Sequence, residues 1–237
     1  MRNLKNWDKK NWLSSARYIS SLNHFLKKQI NFNKETKILD VGCGRGKIIS
    51  SLSKKYQMNN LPLGIDVIKH KDIAKRIKFI KTNALKYLGK TKEKFDVILF
   101  KQSIHFFNFF EIKKILKLSK RNLTPKGKIL ILALHPKENY WPLFKTFESG
   151  LVKSLKKDKI ILNLIKYNLK KYKINYFNFR VQITINLYLQ MIRGRFNSCL
   201  LSLSSKEIKA GIEEIKKEYK KKLKFSDKLI CISYKKK

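Results

Sequence analysis

Ile38-Leu39-Asp40-Val41-Gly42-Cys43-Gly44-Arg45-Gly46 is the stretch whose reading decides the fold. Lys37 to Val41 is a short apolar run that ends directly in the glycines, and from about Lys47 to Tyr56 the pattern turns helical. Strand, glycine turn and helix open a βαβ unit. At Gly42, Gly44 and Gly46 a side chain would be unwelcome, because the chain turns sharply and a ligand must approach its backbone closely. The bare amides of the turn and the start of the helix then form a site for a carboxylate or phosphate. Twenty residues after Gly46 stands Asp66, at the end of the next apolar run. A carboxylate there can accept both hydroxyls of a ribose lying across the sheet. The dinucleotide fingerprint needs a glycine at Lys47, and a P-loop needs Gly at Val41 and Ser or Thr at Ile48; neither fits.

Outward from this turn the alternation repeats. Leu61 to Val67, Ile77 to Thr82 and Phe95 to Phe100 read as strands. A helix from about Phe109 to Arg121 leads through Leu123-Thr124-Pro125-Lys126-Gly127 into a strand over Lys128 to Leu134. The strands are near-continuous apolar runs, as a parallel sheet covered on both faces requires. Trp12 to Ile30 reads as an amphipathic helix, and a long helix follows Pro142 to about Leu169. Ile174 to Ile185 is a strand, two helical pieces span about Leu187 to Leu200 and Lys206 to Lys220, and Lys224 to Tyr234 is a last strand.

The chain has 237 residues and 43% hydrophobic content, enough for one α/β core with a helical cap. The expectation is one domain over 1–237: an N-terminal helical lid over 1–35, a cofactor core over 36–135, and a C-terminal half over 136–237 with a cap insertion at about 187–220. The polar N-terminus and short apolar runs point to a cytoplasmic protein without a transmembrane segment. Cys43, Cys199 and Cys231 are scattered and lack metal-ligand spacing, so no metal site is expected. Lys and Arg total 56 against 16 acids, a net charge of +40. That balance admits a polyanion partner, RNA or an anionic membrane. Only eight of the 56 are Arg, however, and Asn, Ile, Phe and Tyr are also abundant, all with A/T-rich codons. Nucleic-acid readers lean on arginine. The charge therefore reads as compositional drift that leaves a solvated lysine surface.

The G-x-G-x-G turn after Leu39-Asp40-Val41, joined to Asp66, resembles the first motifs of the class I S-adenosylmethionine-dependent methyltransferases. Phe95 to Phe106 resembles the fourth-strand segment of the small-molecule branch of that family, and Leu123 to Leu130 its turn into the fifth strand. The resemblance covers about residues 36 to 135 well and the rest loosely. It implies a Rossmann-like α/β fold: a seven-stranded, mostly parallel sheet with an antiparallel last strand, helices on both faces and a helical cap. It also implies S-adenosyl-L-methionine as cofactor and S-adenosyl-L-homocysteine as product. The implied cofactor contacts are Asp40, Gly42, Cys43, Gly44 and Gly46, then Asp66 and Val67, then Asn83 and Ala84 at the adenine, then Lys101 and Gln102. Two positions depart from the pattern. Asn83 stands where Asp is commoner, and Lys101 is unusual near a methyl donor, pointing away from the cofactor or meeting an anionic acceptor.

Methyl transfer from a sulfonium is an in-line displacement that needs alignment, exclusion of water, and a base only for a reluctant proton. The segment after the fourth strand lacks the Pro-Pro-aromatic run of amino-directed enzymes, and no Pro-Cys pair supplies a cytosine-C5 nucleophile. A small acceptor is the leading expectation, a carboxylated or otherwise anionic molecule being one form of it. An RNA methyltransferase and a non-catalytic cofactor-binding module are the alternatives, and the oligomeric state is left open. His105 is the candidate base, with His135 near the same rim; His24 and His70 read as surface or helix residues. Trp7, Trp12 and Tyr18 from the N-terminus, and Tyr188, Arg193 and Arg195 from the cap, are candidates to close over the acceptor. The two arginines stand out in a chain so poor in arginine.

Overall fold

The computed structural model describes residues 11–237, so Trp7 lies outside the described residues. Seven strands, β1 (Ile38–Val41), β2 (Leu63–Asp66), β3 (Lys78–Lys81), β4 (Phe95–Lys101), β5 (Leu123–Leu134), β6 (Lys173–Thr184) and β7 (Lys222–Lys235), form one sheet in the order β3-β2-β1-β4-β5-β7-β6. The helices are α1 (Ala16–Gln29), α2 (Lys47–Lys55), α3 (Ala84–Lys90), α4 (Phe109–Arg121), α5 (Lys145–Leu169), α6 (Ile185–Arg193) and α7 (Ser205–Glu218). Strands β3 to β5 run parallel in the sheet, β1 pairing with both β2 and β4. Strand β7 runs against β5, because the Lys236 amide donates to the Gly127 carbonyl and the His135 amide to that of Lys228. The fold is the one the sequence leads us to expect. After β3 the chain returns to place β4 beside β1, so the switch point lies at the carboxyl ends of those two central strands.

The chain forms two compact units. One comprises Ile19–Ala133, Ile160–Phe177 and Leu229–Lys237. All four residues of β1 are buried, and Leu39, Val41, Ile98, Phe100, Ile129 and Ile131 belong to a continuous apolar core. Ile161, Leu162, Ile165 and Leu169 of α5 join the same core at helical spacing. Burial of this kind stabilises by roughly 25 cal/mol per Å² of apolar surface, which favours the uninterrupted apolar strands read from the sequence.

Three local expectations need correction. Strand β3 is not covered on both faces: it is an edge strand whose Lys78, Ile80 and Lys81 are exposed, with lysines that discourage pairing to another sheet. Strand β5 starts at Leu123, and the Thr124 to Gly127 segment is an irregularity within it, with Lys126 at φ 64°. His70 is buried in the loop after β2 rather than on the surface, whereas His24 is exposed on α1.

The second unit takes in residues 11–18, Leu134–Lys159 and Asn178–Lys228, so the 187–220 segment falls within it. Its centre is aromatic. Trp12 meets Trp141, Phe196 and Phe225 edge to face at centroid distances of 5.7, 5.2 and 5.2 Å, the arrangement ring quadrupoles prefer. The Trp12 indole donates to the buried carboxylate of Asp227 at 3.0 Å. A capping box between Ser204 and Glu207 starts α7.

Gly211 of α7 sits where a Cβ would strike the Phe144 ring, whereas a Cβ at Gly89 in α3 meets nothing within 4 Å. Gly211→Ala should therefore lose about 1–3 kcal/mol by overpacking. Gly89→Ala should gain about 0.5–1 kcal/mol from helix propensity. Urea unfolding of the two variants beside the parent checks the opposite signs.

Candidate functional site

The glycine turn is stitched to its neighbouring strand from the start. The Gly42 and Cys43 amides both donate to the Ile65 carbonyl, at 2.8 and 3.2 Å. All three glycines are left-handed, with φ of 74°, 55° and 68° at Gly42, Gly44 and Gly46. Two of them answer to the protein's own packing. A Cβ at Gly42 would come within 2.5 Å of the Ser103 Cβ, and one at Gly46 would strike Ile77. Ser103 is held there by donating to the Val41 carbonyl at 2.6 Å. The close approach expected of a ligand is thus only part of why these positions are glycine.

Gly44 ties the turn to the acid on β2. Its amide donates to Asp66 Oδ2 at 2.9 Å, while Asp66 Oδ1 accepts from the Ile68 amide at 3.0 Å. Each carboxylate oxygen offers two lone-pair directions, so acceptor capacity is left for a diol. Val67 follows, 48% exposed, an apolar surface that a flat ring could cover.

The strand register places a second acid between two charges. Asp40 of β1 pairs with Gly64 of β2 and with Leu99 of β4, so Asp66 and Lys101 each lie two residues further along, on the same face of the sheet. Asp40 is 3% exposed and its Oδ1 accepts no hydrogen bond. Burial pushes its carboxyl up to about 7, the neighbouring Lys101 opposes the rise, and Asp66 adds to it. A buried, unsatisfied carboxylate oxygen is costly unless something cationic or protic meets it. Gln102, next after Lys101, has φ 51° and a buried Oε1 with no partner, while its amide donates to the Leu132 carbonyl at 2.8 Å. A left-handed non-glycine costs about 1–2 kcal/mol.

The remaining contacts fall as follows. Asn83 caps α3, its Oδ1 accepting from the Lys86 amide at 2.7 Å, which fixes the side chain and leaves one lone pair; Ala84 is buried behind it. The Cys43 thiol lies over Gly64, where a Cβ would come within 2.6 Å of Sγ, and burial raises the thiol well beyond any reactive range. A loop after β2 is fastened to the glycine turn. Arg45 Nε donates to both Asp72 oxygens at 2.7 and 2.8 Å, and the Ala74 amide donates to the Arg45 carbonyl at 2.9 Å. His105 is half-buried on the short 3-10 turn Ile104–Phe106, its ring 4.2 Å from that of Phe106.

The structure therefore brings together Asp40, the glycine turn, Asp66, Lys101 and Gln102 at the carboxyl ends of adjacent strands. Apart from Arg193, the described candidates of the other unit are engaged within it. The Tyr18 ring is buried 5.0 Å from Phe179, and the Tyr188 hydroxyl donates to the Pro142 carbonyl at 2.5 Å. Arg195 donates to the Leu200 and Leu203 carbonyls, whereas Arg193 is exposed. His135 Nδ1 accepts from the Lys137 amide at 3.3 Å, and Nε2 lies 3.7 Å from Glu138. Sequence reasoning missed Ser103, although its place two residues after the end of β4 was readable. It also missed the left-handed backbone at Gln102, for which a glutamine gives no signal.

A family model described as "Methyltransferase domain" matches residues 32–171. No curated protein matches the sequence. Among solved structures, the chain is similar to a candidate methyltransferase of an antibiotic biosynthesis pathway from Anabaena variabilis, at 13% identity and TM-score 0.64, covering 90% of this chain and 96% of that one. It is also similar to a SAM-dependent methyltransferase from Archaeoglobus fulgidus, at 18% identity and TM-score 0.55, covering 92% and 94%. A third is the plantazolicin methyltransferase BpumL, in complex with a monoazolic desmethylPZN analog and SAH, at 18% and 0.56, covering 98% and 88%.

Asp40 makes the site sensitive to pH. Its folded value of about 7 exceeds the ordinary 3.8, so between those values the native state binds the extra proton. Its contribution to stability is then fully present below about pH 4 and lost as pH rises through 7, a change on the order of 4 kcal/mol. Guanidinium unfolding at mildly acidic and mildly alkaline pH should show that loss in the parent and a flatter profile in Asp40→Asn.

Proposed function

The chain belongs to the methyltransferase-domain family and is a class I S-adenosylmethionine-dependent enzyme; from that premise we propose that its acceptor is a small molecule carrying an anionic group. The observation that carries the cofactor reading is the Gly44 amide donating to Asp66 at 2.9 Å, with the unpartnered Asp40 oxygen beside it. When bound, S-adenosylmethionine supplies an electrophilic methyl group on a sulfonium. In this proposal Asp66 takes the ribose hydroxyls and Val67 lies against the base. Asn83 offers its remaining lone pair to the adenine amino group, and Ala84 its amide. Asp40 faces the methionine end, where an ammonium would satisfy its idle oxygen, and the amides of the turn receive the carboxylate.

His105 is the proposed acceptor-side base, needed only where the acceptor's proton is reluctant to leave. Lys101 favours negative charge at the same strand end, and the net charge of +40 adds a field of that sign. Two of the similar structures hold a small molecule beside S-adenosylhomocysteine. BpumL was captured with desmethylPZN analogs, and a Haemonchus contortus enzyme with phosphomonomethylethanolamine, which carries a phosphate. Small molecules bound beside the cofactor product in proteins of this fold support the reading over a polymer.

Isothermal titration with S-adenosylhomocysteine should give a one-to-one isotherm. Asp66→Ala should weaken it by about 1.5–3 kcal/mol, the scale of hydrogen bonds to a charged group. No heat at millimolar ligand would end the cofactor assignment, and an unchanged Asp66→Ala isotherm would misplace the ribose. A radiolabelled-methyl screen of small carboxylates and phosphates against RNA then tests the acceptor class; label in RNA alone would overturn it.

A further inference from the structure

The segment that leaves β4 reads Phe106-Phe107-Asn108-Phe109-Phe110. Phe107 packs partly against the core, but Phe106, Phe109 and Phe110 are 50, 45 and 73% exposed. Single apolar side chains on a surface need no explanation, whereas three exposed phenylalanines within five residues do. Their placement is fixed. Asn108 Oδ1 accepts from the Glu111 amide at 2.9 Å, and the Glu111 carboxylate accepts from the Asn108 amide at 2.9 Å. This capping box makes Phe109 and Phe110 the first residues of α4.

The exposed face of that helix continues the pattern with charge. Phe110, Lys113, Lys114 and Lys117 follow at i, i+3, i+4 and i+7, all exposed. From Lys101 to Arg121 there are six basic residues and one acid, and that acid, Glu111, is engaged in the cap. An aromatic tip thus stands at the head of a basic helical stripe, on a chain whose net charge is +40.

We propose that this tip docks the protein on an anionic lipid surface. The phenylalanines enter the boundary between headgroups and acyl chains, and Lys113, Lys114 and Lys117 face the lipid phosphates. Among the described residues no helix is long and apolar enough to cross a membrane, so the attachment is peripheral. Charge complementarity selects the anionic bilayer. Phenylalanines are wholly apolar and suit the acyl boundary, and the stripe holds lysine where nucleic-acid readers favour arginine. The docking surface follows β4, the strand that ends at Lys101 just before Gln102, so a bilayer there would lie near the mouth of the cofactor site.

The test uses the full chain and sedimentation with vesicles of phosphatidylcholine alone or mixed with phosphatidylglycerol. The parent should sediment with the mixed vesicles and not with the neutral ones. Phe109→Ser with Phe110→Ser should weaken that partitioning about tenfold or more. Lys113→Gln with Lys114→Gln and Lys117→Gln should weaken it and flatten its salt dependence. Titration of every variant with S-adenosylhomocysteine, expected to match the parent, reports folding and separates this proposal from the methyltransferase reading. Failure to sediment with anionic vesicles overturns the proposal, as does equal binding by the phenylalanine variant. A dimer in gel filtration that the same variant dissolves, or single-stranded RNA bound through these phenylalanines in place of vesicles, overturns it as well.

Discussion

The bond from the Gly44 amide to the Asp66 carboxylate is the constraint around which the site is arranged. It joins a loop that follows β1 to the end of β2, and so converts strand pairing into a fixed distance between backbone amides and a carboxylate. The core fixes the strands: β1 is buried along its whole length and pairs on both sides. A site on such rigid elements loses little conformational entropy when a ligand arrives.

Electrostatics adds a second layer. Asp40 is kept in a dry position with one oxygen unpaired, and Lys101, across the strand pair, relieves part of the cost. That arrangement destabilises the folded protein at neutral pH and favours any cation or proton donor that reaches the vacant lone pairs. Strain at Gln102 belongs to the same region: a left-handed glutamine with a buried carbonyl oxygen, placed where β4 ends. Features that weaken a fold tend to gather where it binds something.

How much could be read from the chain depended on how local each feature is. The β1–turn–α2 unit and Asp66 were legible because strand period, glycine spacing and an acid at the right distance are all carried by neighbouring residues. Helix α3 was not anticipated, since seven residues containing Gly89 give little periodicity and its start depends on the Asn83 cap. The edge position of β3 was hidden because strand order is set by tertiary pairing. For the same reason Trp12 and Tyr188 read equally well as acceptor contacts or as core, and only the ring contacts and the Asp227 and Pro142 bonds show them packed within their own unit. The charge remained ambiguous in one dimension, where lysines are scattered; in three, Lys113, Lys114 and Lys117 line up behind Phe110.

The interlock of Gly42 with Ser103 constrains how the chain can diverge. Sixty-one positions apart, these residues occupy one volume: the serine's Cβ fills the space a larger residue at 42 would need, and its hydroxyl holds the Val41 carbonyl. Shrinking Ser103 alone forfeits that hydrogen bond, and enlarging Gly42 alone meets both a collision and a disfavoured dihedral. Relatives that preserve the turn should therefore keep a small residue at the second position whenever the first is glycine, and descendants that alter either should alter both.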